Sequence, residues 1–401
     1  MNKSKSSLWN PAFLTIFVIN FVLQMGQAMS NLLIPLYTDS LGGSVFIVGL
    51  VSGMFGFTAL LIRPVTGPAM QCLNKKYLML GTCLVIVSAF LLFSVSNSVG
   101  LLIFARLFQG IGISCTGPLC LAIVVACLPE EKMTLGVSVY TAGQAVATAA
   151  GPSIGLSLMQ KIGYSATFLI CGLVVAVSAF LCLLLPNICS NQKFRISLQN
   201  TFTKKVFGTS AIISIIMIAY SAYTAYVAIY GGLRGIARVD IFFVVYAVVL
   251  VGSRPLANYA VARFGNIRVI VTSFVLFMLS FIVTSLTKTM PMLVLAGVLT
   301  GVGQGTVFPM MQSLGMQQVN EDERDVAANT LFTGVDLGMM LGGPVCGVVC
   351  TTALNITGDE VASYSILYAT MVIPVMICLL LFLLGRGKSK SQKKLHDVGS
   401  A

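Results

Sequence analysis

Twelve stretches of this chain each run for about twenty residues or more with almost no interruption by charge. Sequence of that kind has few ways to fold. An α-helix rises about 1.5 Å per residue and the hydrocarbon core of a bilayer is roughly 30 Å thick, so roughly 20 apolar residues cross it with every backbone hydrogen bond satisfied inside the segment. The runs fall at 12–37, 45–70, 77–96, 99–127, 134–160, 164–185, 206–232, 239–262, 267–287, 290–318, 324–352 and 361–385. Charged residues make up only 9% of the 401, against about 25% in soluble domains, so most of the surface meets lipid. The expected fold is an all-α integral membrane protein with twelve transmembrane helices.

A net charge of +12 would suggest a nucleic-acid partner in a soluble protein, but here it reads first as topology. With both termini cytoplasmic, seventeen Lys and Arg fall on the inside and only Lys161, Arg234, Arg238 and Lys288 on the outside; Arg63, Arg106 and Arg254 lie within spans. That asymmetry predicts a multi-pass protein of the cell membrane, oriented with both ends inside, and no nucleic-acid partner. The basic tail from Arg386 to Lys394 then acts as a stop signal drawn to anionic lipid. Lys3 and Lys5 precede a long span with no small-residue cleavage site, so the first run is expected to stay as a membrane helix.

Several chemistries are excluded by the same reading. The one histidine, His396, lies in the tail, so no His-based triad, metal site or haem ligand is available at membrane depth. Nearly all of the 11 cysteines fall inside apolar runs and none forms a CxxC. Gly387-Lys388-Ser389 resembles the end of a phosphate-binding loop, but Phe382 stands where its first glycine would be. Neither an enzyme nor a cofactor is expected.

The chain also repeats itself. A shift of 191 residues lays Arg63-Pro64 on Arg254-Pro255, Gly110 and Gly112 on Gly301 and Gly303, Pro118 on Pro309 and Glu130 on Glu321. A shift of 192 lays Gly151-Pro152 and Gly155 on Gly343-Pro344 and Gly347. Coincidences of Gly, Pro and charge at one spacing predict two parallel, pseudo-symmetric six-helix bundles, 1–185 and 206–386, joined by a cytoplasmic loop at 186–205 and followed by the tail 387–401. Transporters built this way hold substrate between the halves near the midplane.

Local motifs then point to a family. Arg106-Leu107-Phe108-Gln109-Gly110-Ile111-Gly112 in span four matches an R-x-x-Q-G-x-G segment, and Gly143, Gly151-Pro152 and Gly155 in span five match an antiporter signature, with Ala147 and Leu156 at two of its glycine positions. The chain resembles the major facilitator superfamily over about residues 10 to 386, and within it the drug/proton antiporter branch. The resemblance implies proton coupling at Arg106 and export by alternating access. The loop after span two departs from that family's pattern: Gly67, Lys75 and Lys76 are present, but Gln71 stands for the aspartate and Asn74 for a glycine. Gly67, Lys75 and Lys76, with Arg63 and Arg254, are the candidate gate and interface residues. Gly143, Gly151, Pro152, Gly155, Gly343 and Pro344 are candidate hinge residues, because small residues let helices approach and an internal proline removes a helical hydrogen bond; static packing is the competing reading.

Polar side chains inside the spans carry the substrate hypothesis, since each is costly in lipid unless it faces protein or water. Asn20, Gln24, Gln27 and Asn31 recur at helical spacing on one face of span one, and Tyr220, Tyr223, Tyr226 and Tyr230 share an arc of span seven. Together with Gln109 and Gln304 the amides and the first three tyrosines form the expected substrate cavity; amide glue between helices and aromatic packing are the alternatives. Asp336 stands twelve residues beyond Arg324, roughly 18 Å along span eleven and near the midplane. A carboxylate there is costly as an anion, so taking up and releasing a proton is a physically reasonable task for it. Arg106 is the expected basic partner; a fixed salt bridge with Arg63 or Arg106 is the competing reading. The function expected is proton-coupled efflux of a small organic molecule by a monomeric secondary transporter whose partners are substrate, protons and the bilayer. Proton-coupled import of a small polar solute is the alternative, and a non-transporting sensor or scaffold the alternative of another class.

Overall fold

A computed structural model describes residues 9–128, 133–188, 202–320 and 324–384. Glu130, Lys132, Lys193, Arg195, Glu321, His396 and the basic tail lie outside them. All regular structure among the described residues is helical: α1 (Pro11–Ser40), α2 (Val45–Cys72), α3 (Lys75–Ser94), α4 (Val99–Cys127), α5 (Met133–Cys182), α6 (Phe207–Leu233), α7 (Asp240–Phe264), α8 (Asn266–Ser285), α9 (Met290–Met316), α10 (Arg324–Thr357) and α11 (Glu360–Thr370). After a turn at Met371 the last of these continues as helix, so that Glu360–Leu384 forms one apolar stretch. The starts follow from the sequence. Asn10 accepts from the Phe13 amide at 2.8 Å and Pro11 occupies the first turn of α1, while Ser44, Asn74, Ser98 and Asp359 cap α2, α3, α4 and α11 in the same way.

Eleven of these stretches are long and apolar enough to cross a membrane, one fewer than the runs read from the sequence. The difference lies at Gly163. Expected spans five and six form the single 50-residue run α5, interrupted where Gly163 takes φ 80° and ψ 174°, a backbone open to glycine and strained for other residues. The contacts of α5 with α1 climb before that point and descend after it. Gly143 faces Phe17, Gly151 faces Ala28 and Gly155 faces Met29; Tyr164 stacks on Tyr37; then Val175 meets Gly26 and the Ser178 hydroxyl donates to the Ile19 carbonyl.

Burial falls into two clusters. One draws only on residues between Phe13 and Leu185, with Phe90, Phe93 and Phe168 among its largest side chains. The other runs from Val206 to Phe382 and adds Leu32, Val48 and Leu156 from the first half of the chain. These three mark where the halves meet, along α2 against α10, α5 against α7 and α1 against α6.

The closest of these seams is α2 against α10, and glycines make it. A Cβ on Gly49 would fall on the Gly343 carbonyl and one on Gly343 on the Gly49 carbonyl; Gly53 faces the Met340 carbonyl, Gly56 the Asp336 carbonyl and Gly347 the backbone of Phe46. The opposite side of α10 is equally bare, with Gly334, Gly338 and Gly342 against Ser210, Ser214 and Ser221 of α6. In lipid, where burial of apolar surface gives helices little reason to associate, such close backbone approach supplies the dispersion contacts that hold them.

Replacing Gly343 by Ala is therefore expected to lower stability by about 1–3 kcal/mol, because backbone rather than a movable side chain stands in the way. Gly252→Ala, where a Cβ meets open space, should be neutral or mildly stabilising. Unfolding of the two purified variants in detergent measures the difference, and equal midpoints would mean that the seam is not close-packed.

Candidate functional site

Among the described residues, a buried ion pair crosses the α2–α10 seam between the two halves of the chain. The Arg63 Nε donates to Asp336 Oδ2 at 2.5 Å, and both residues are almost wholly buried, at 4% and 8% exposure. The guanidinium also donates from Nη1 to Asn329 Oδ1 at 3.4 Å and lies over the Phe332 ring. Asn329, Phe332 and Asp336 follow one another at helical spacing, so a single stripe of α10 meets Arg63. Thr333 turns its hydroxyl back to the Asn329 carbonyl at 2.8 Å. The pair forms because Gly56 brings α2 down onto the Asp336 carbonyl, about two turns before Arg63.

The sequence reading gave Arg106 as the favoured partner of Asp336. In this structure Arg63 meets the carboxylate, and Arg106 lies in a separate cluster inside the first half. There its Nη1 donates to Gln109 Oε1 at 2.7 Å, its Nη2 to Asn31 Oδ1 at 3.0 Å and to the Ser52 carbonyl at 3.3 Å, and its plane covers Phe55. Arg106 is 1% exposed. Helix α2 thus touches both cations, with Ser52 and Phe55 against Arg106 and Arg63 carried further along.

The repeat partner of Arg63 behaves differently. Arg254 of α7 reaches across to α5 and donates from Nη1 to the Thr141 carbonyl at 3.3 Å. The shift of 192 carries Thr141 onto Thr333, so the two arginines cross to equivalent helices at equivalent places. Among the described residues only the first of them meets a carboxylate; the repeat places Gln144 where α10 has Asp336.

The remaining expected cavity residues separate into groups. Asn20 accepts from the Tyr140 hydroxyl at 3.2 Å, Gln27 is buried and Gln24 half-buried on α1. In the second half Tyr220 donates to the Tyr246 hydroxyl at 3.1 Å, which donates to Gln304 Oε1 at 3.0 Å. Tyr223 stacks between Phe242 and Phe281, its hydroxyl within 3.0 Å of Ser280 and Thr284, and Tyr230 bonds the Ser285 carbonyl and Ser365. Tyr226 donates to the Val45 carbonyl at 2.9 Å, tying α6 to α2. Tyr223, Tyr226 and Tyr230 are therefore packed within the core of the second half and its junction, the competing reading of the stripe.

Gly151 and Gly155 pack α5 on α1, whereas Gly343 and Gly347, their repeat counterparts, face α2 in the other half of the chain. Pro152 and Pro344 lie inside α5 and α10. Gly67 lies within α2; the Lys76 Nζ donates to the Leu183 carbonyl at 2.7 Å and the Lys75 amide to the Ile188 carbonyl at 3.0 Å, which ties that loop to the end of α5 in its own half. Sequence reasoning missed the Gly49, Gly53 and Gly56 series, although the Gly-x-x-x-Gly spacing of the first two was a usable signal. It also missed Tyr140, Tyr246, Ser52 and Phe55, which carry no signal beyond their presence in a span.

Comparison with known proteins follows the same lines. Residues 16–253 and 236–399 match the family model of the Major Facilitator Superfamily. The chain is 20% identical over 356 residues to the Staphylopine export protein of Staphylococcus aureus, covering 84% of this chain and 89% of that one. It is 26% identical over 157 residues to the probable multidrug resistance protein EmrY of Escherichia coli, covering 39% of this chain and 31% of EmrY. In structure it is similar to the nucleoside transporter NupG, with a TM-score of 0.74 at 15% identity over 93% of this chain and 98% of that one. With the family model matched over most of its length, the chain belongs to the Major Facilitator Superfamily: it is a multi-pass membrane transporter and not an enzyme.

Proposed function

We propose that this transporter is a proton-coupled exporter of a small organic molecule, working in the cell membrane by alternating access, and that Asp336 carries the coupling proton. The observation that carries the reading is the Arg63–Asp336 pair. It is buried and lies on the line along which two halves would have to part. Taking both charges out of water costs several kcal/mol per ion, and that cost is offset only while each charge keeps its partner. A proton on the carboxylate removes the anion, ends the ion pair and frees α2 from α10 at that point; loss of the proton to the other side restores it. A proton entering down its gradient then exchanges for a substrate leaving.

Twelve crossings support this reading better than eleven. A 50-residue helix would measure about 75 Å, more than twice the hydrocarbon thickness, and the contacts of α5 climb α1 and descend it again around Gly163. With that division the two bundles are 1–185 and 206–386 and the repeat is regular. The cytoplasmic placement of both termini and of the 186–205 loop rests on the excess of Lys and Arg there. Export is favoured over import by the Gly151-Pro152 segment and by two of the relatives, an export protein and a probable multidrug resistance protein.

Asp336→Asn keeps the shape of the side chain and removes its titration. In energised vesicles it is expected to abolish proton-driven accumulation while substrate exchange at equal pH stays measurable, and Asp336→Glu should retain part of the coupling. Concentrative flux in Asp336→Asn that still collapses with an uncoupler would place the proton site elsewhere.

Arg63→Gln leaves the carboxylate buried without its cation, a loss of about 3–5 kcal/mol of stability. The double variant Arg63→Gln/Asp336→Asn should recover much of that stability and none of the coupling. Thermal unfolding and vesicle transport of the three variants check both halves of this expectation; additive losses of stability in the double variant would show that the two side chains do not interact.

A further inference from the structure

The Arg106 cluster contains more donors than its own residues can use. Arg106 Nε, Gln109 Nε2 and Gln27 Nε2 are all buried and find no acceptor in the protein. The orientation of Gln109 follows from its bond to Arg106: a guanidinium can only donate, so Oε1 must face it and Nε2, a donor, must face away. Asn31 is fixed by the same logic through its Oδ1. Gln27 stands one turn before Asn31 on the same face of α1, and its Nε2 is buried. No carboxylate contacts Arg106 among the described residues; its neighbours are Gln109, Asn31, the Ser52 carbonyl and the Phe55 ring.

A buried cation without a counter-charge is costly, and so is each buried donor without an acceptor. The guanidinium's own Nε, the Nε2 of Gln109 bonded to it and the Nε2 of Gln27 on the Asn31 face of α1 share a single complement: a group that only accepts and carries negative charge. We infer that Arg106, Gln109 and Gln27 form a binding site for the oxyanion of the transported molecule, so that the substrate is an organic carboxylate or phosphonate. The inference rests on the transporter reading but not on proton coupling, since the cluster shares no side chain with the Arg63–Asp336 pair. The oxyanion would take the Arg106 Nε, Gln109 Nε2 and Gln27 Nε2 hydrogen bonds and neutralise the guanidinium. A neutral or cationic analogue of the same shape would leave those donors and that charge as they are.

Binding at equilibrium tests this without any gradient. Purified protein in phosphate-free, zwitterion-free detergent is titrated with benzoate and phenylphosphonate, with benzamide and benzylamine as neutral and cationic counterparts, and with phosphatidylglycerol as a lipid source of the same chemistry; thermal unfolding is the readout. At least one of the two soluble oxyanions should raise the unfolding temperature where benzamide and benzylamine do not, and Arg106→Gln should weaken that effect by roughly tenfold or more in concentration. Gln109→Glu supplies an internal carboxylate to Arg106; it should be as stable as the wild-type chain and should lose the oxyanion response, which guards against an Arg106→Gln that fails to fold. No oxyanion response in the wild-type chain, an undiminished response in Gln109→Glu, or a response to phosphatidylglycerol alone would each overturn the inference. Failure of proton-driven transport in a chain that still binds the oxyanions would count against the coupling reading only.

Discussion

Two full charges, Arg63 and Asp336, are held against each other inside the protein, one on each side of the line that divides the chain into its repeats. Neither charge is tolerable there alone. Everything else along α2 and α10 serves their approach: the Gly49–Gly343 contact, the Gly53 contact with Met340 and the seat of Gly56 on the Asp336 carbonyl bring the two backbones within reach, so that the short Asp336 side chain and the Arg63 guanidinium meet. A bulkier seam would separate the pair, and separating it would leave two uncompensated ions in a medium that cannot solvate them. The fold and its candidate chemistry thus depend on one another through a single contact.

The asymmetry of that contact gives it a direction. Arg63 and Arg254 are repeat partners that cross to α10 and α5 at corresponding places, yet Arg254 meets a backbone carbonyl where Arg63 meets a carboxylate. A structural pair alone would have been served by the same arrangement twice. The titratable group appears once, on α10, and the second buried cation of the first half, Arg106, is surrounded by amides instead. One protein therefore holds two buried arginines in unlike company: one neutralised by an acid of its own chain, the other bonded to neutral acceptors.

Much of this was legible beforehand. Run lengths gave the helices, and their boundaries agree with the structure to within a few residues in most cases, because twenty apolar residues in lipid leave the backbone no alternative to helix. Depth counted along span eleven singled out Asp336. Its partner was legible only as a choice between Arg106, the favoured one, and Arg63: which arginine meets it depends on how the two helices are rotated and how closely they approach, and both are set by glycines scattered over α2 and α10 rather than by any local pattern. The tyrosine stripe of α6 was ambiguous for a related reason. Spacing puts Tyr223, Tyr226 and Tyr230 on one face, but only the aromatic neighbours Phe242, Phe281, Tyr364 and Tyr368 reveal that this face is core. Repeat symmetry likewise equated Gly151 with Gly343, and the structure turns the first toward α1 and the second toward the opposite half.

The central claim is that a proton on Asp336 decides whether α2 and α10 stay together. Spin labels at positions 57 and 341, both on lipid-facing surfaces of those two helices, report the separation directly in a chain otherwise free of cysteine. The account predicts one short separation at high pH, a second and longer population that grows as the pH falls, and the longer population at every pH in Asp336→Asn. A wild-type distribution that does not change with pH, or an Asp336→Asn distribution that titrates like the wild type, would contradict it.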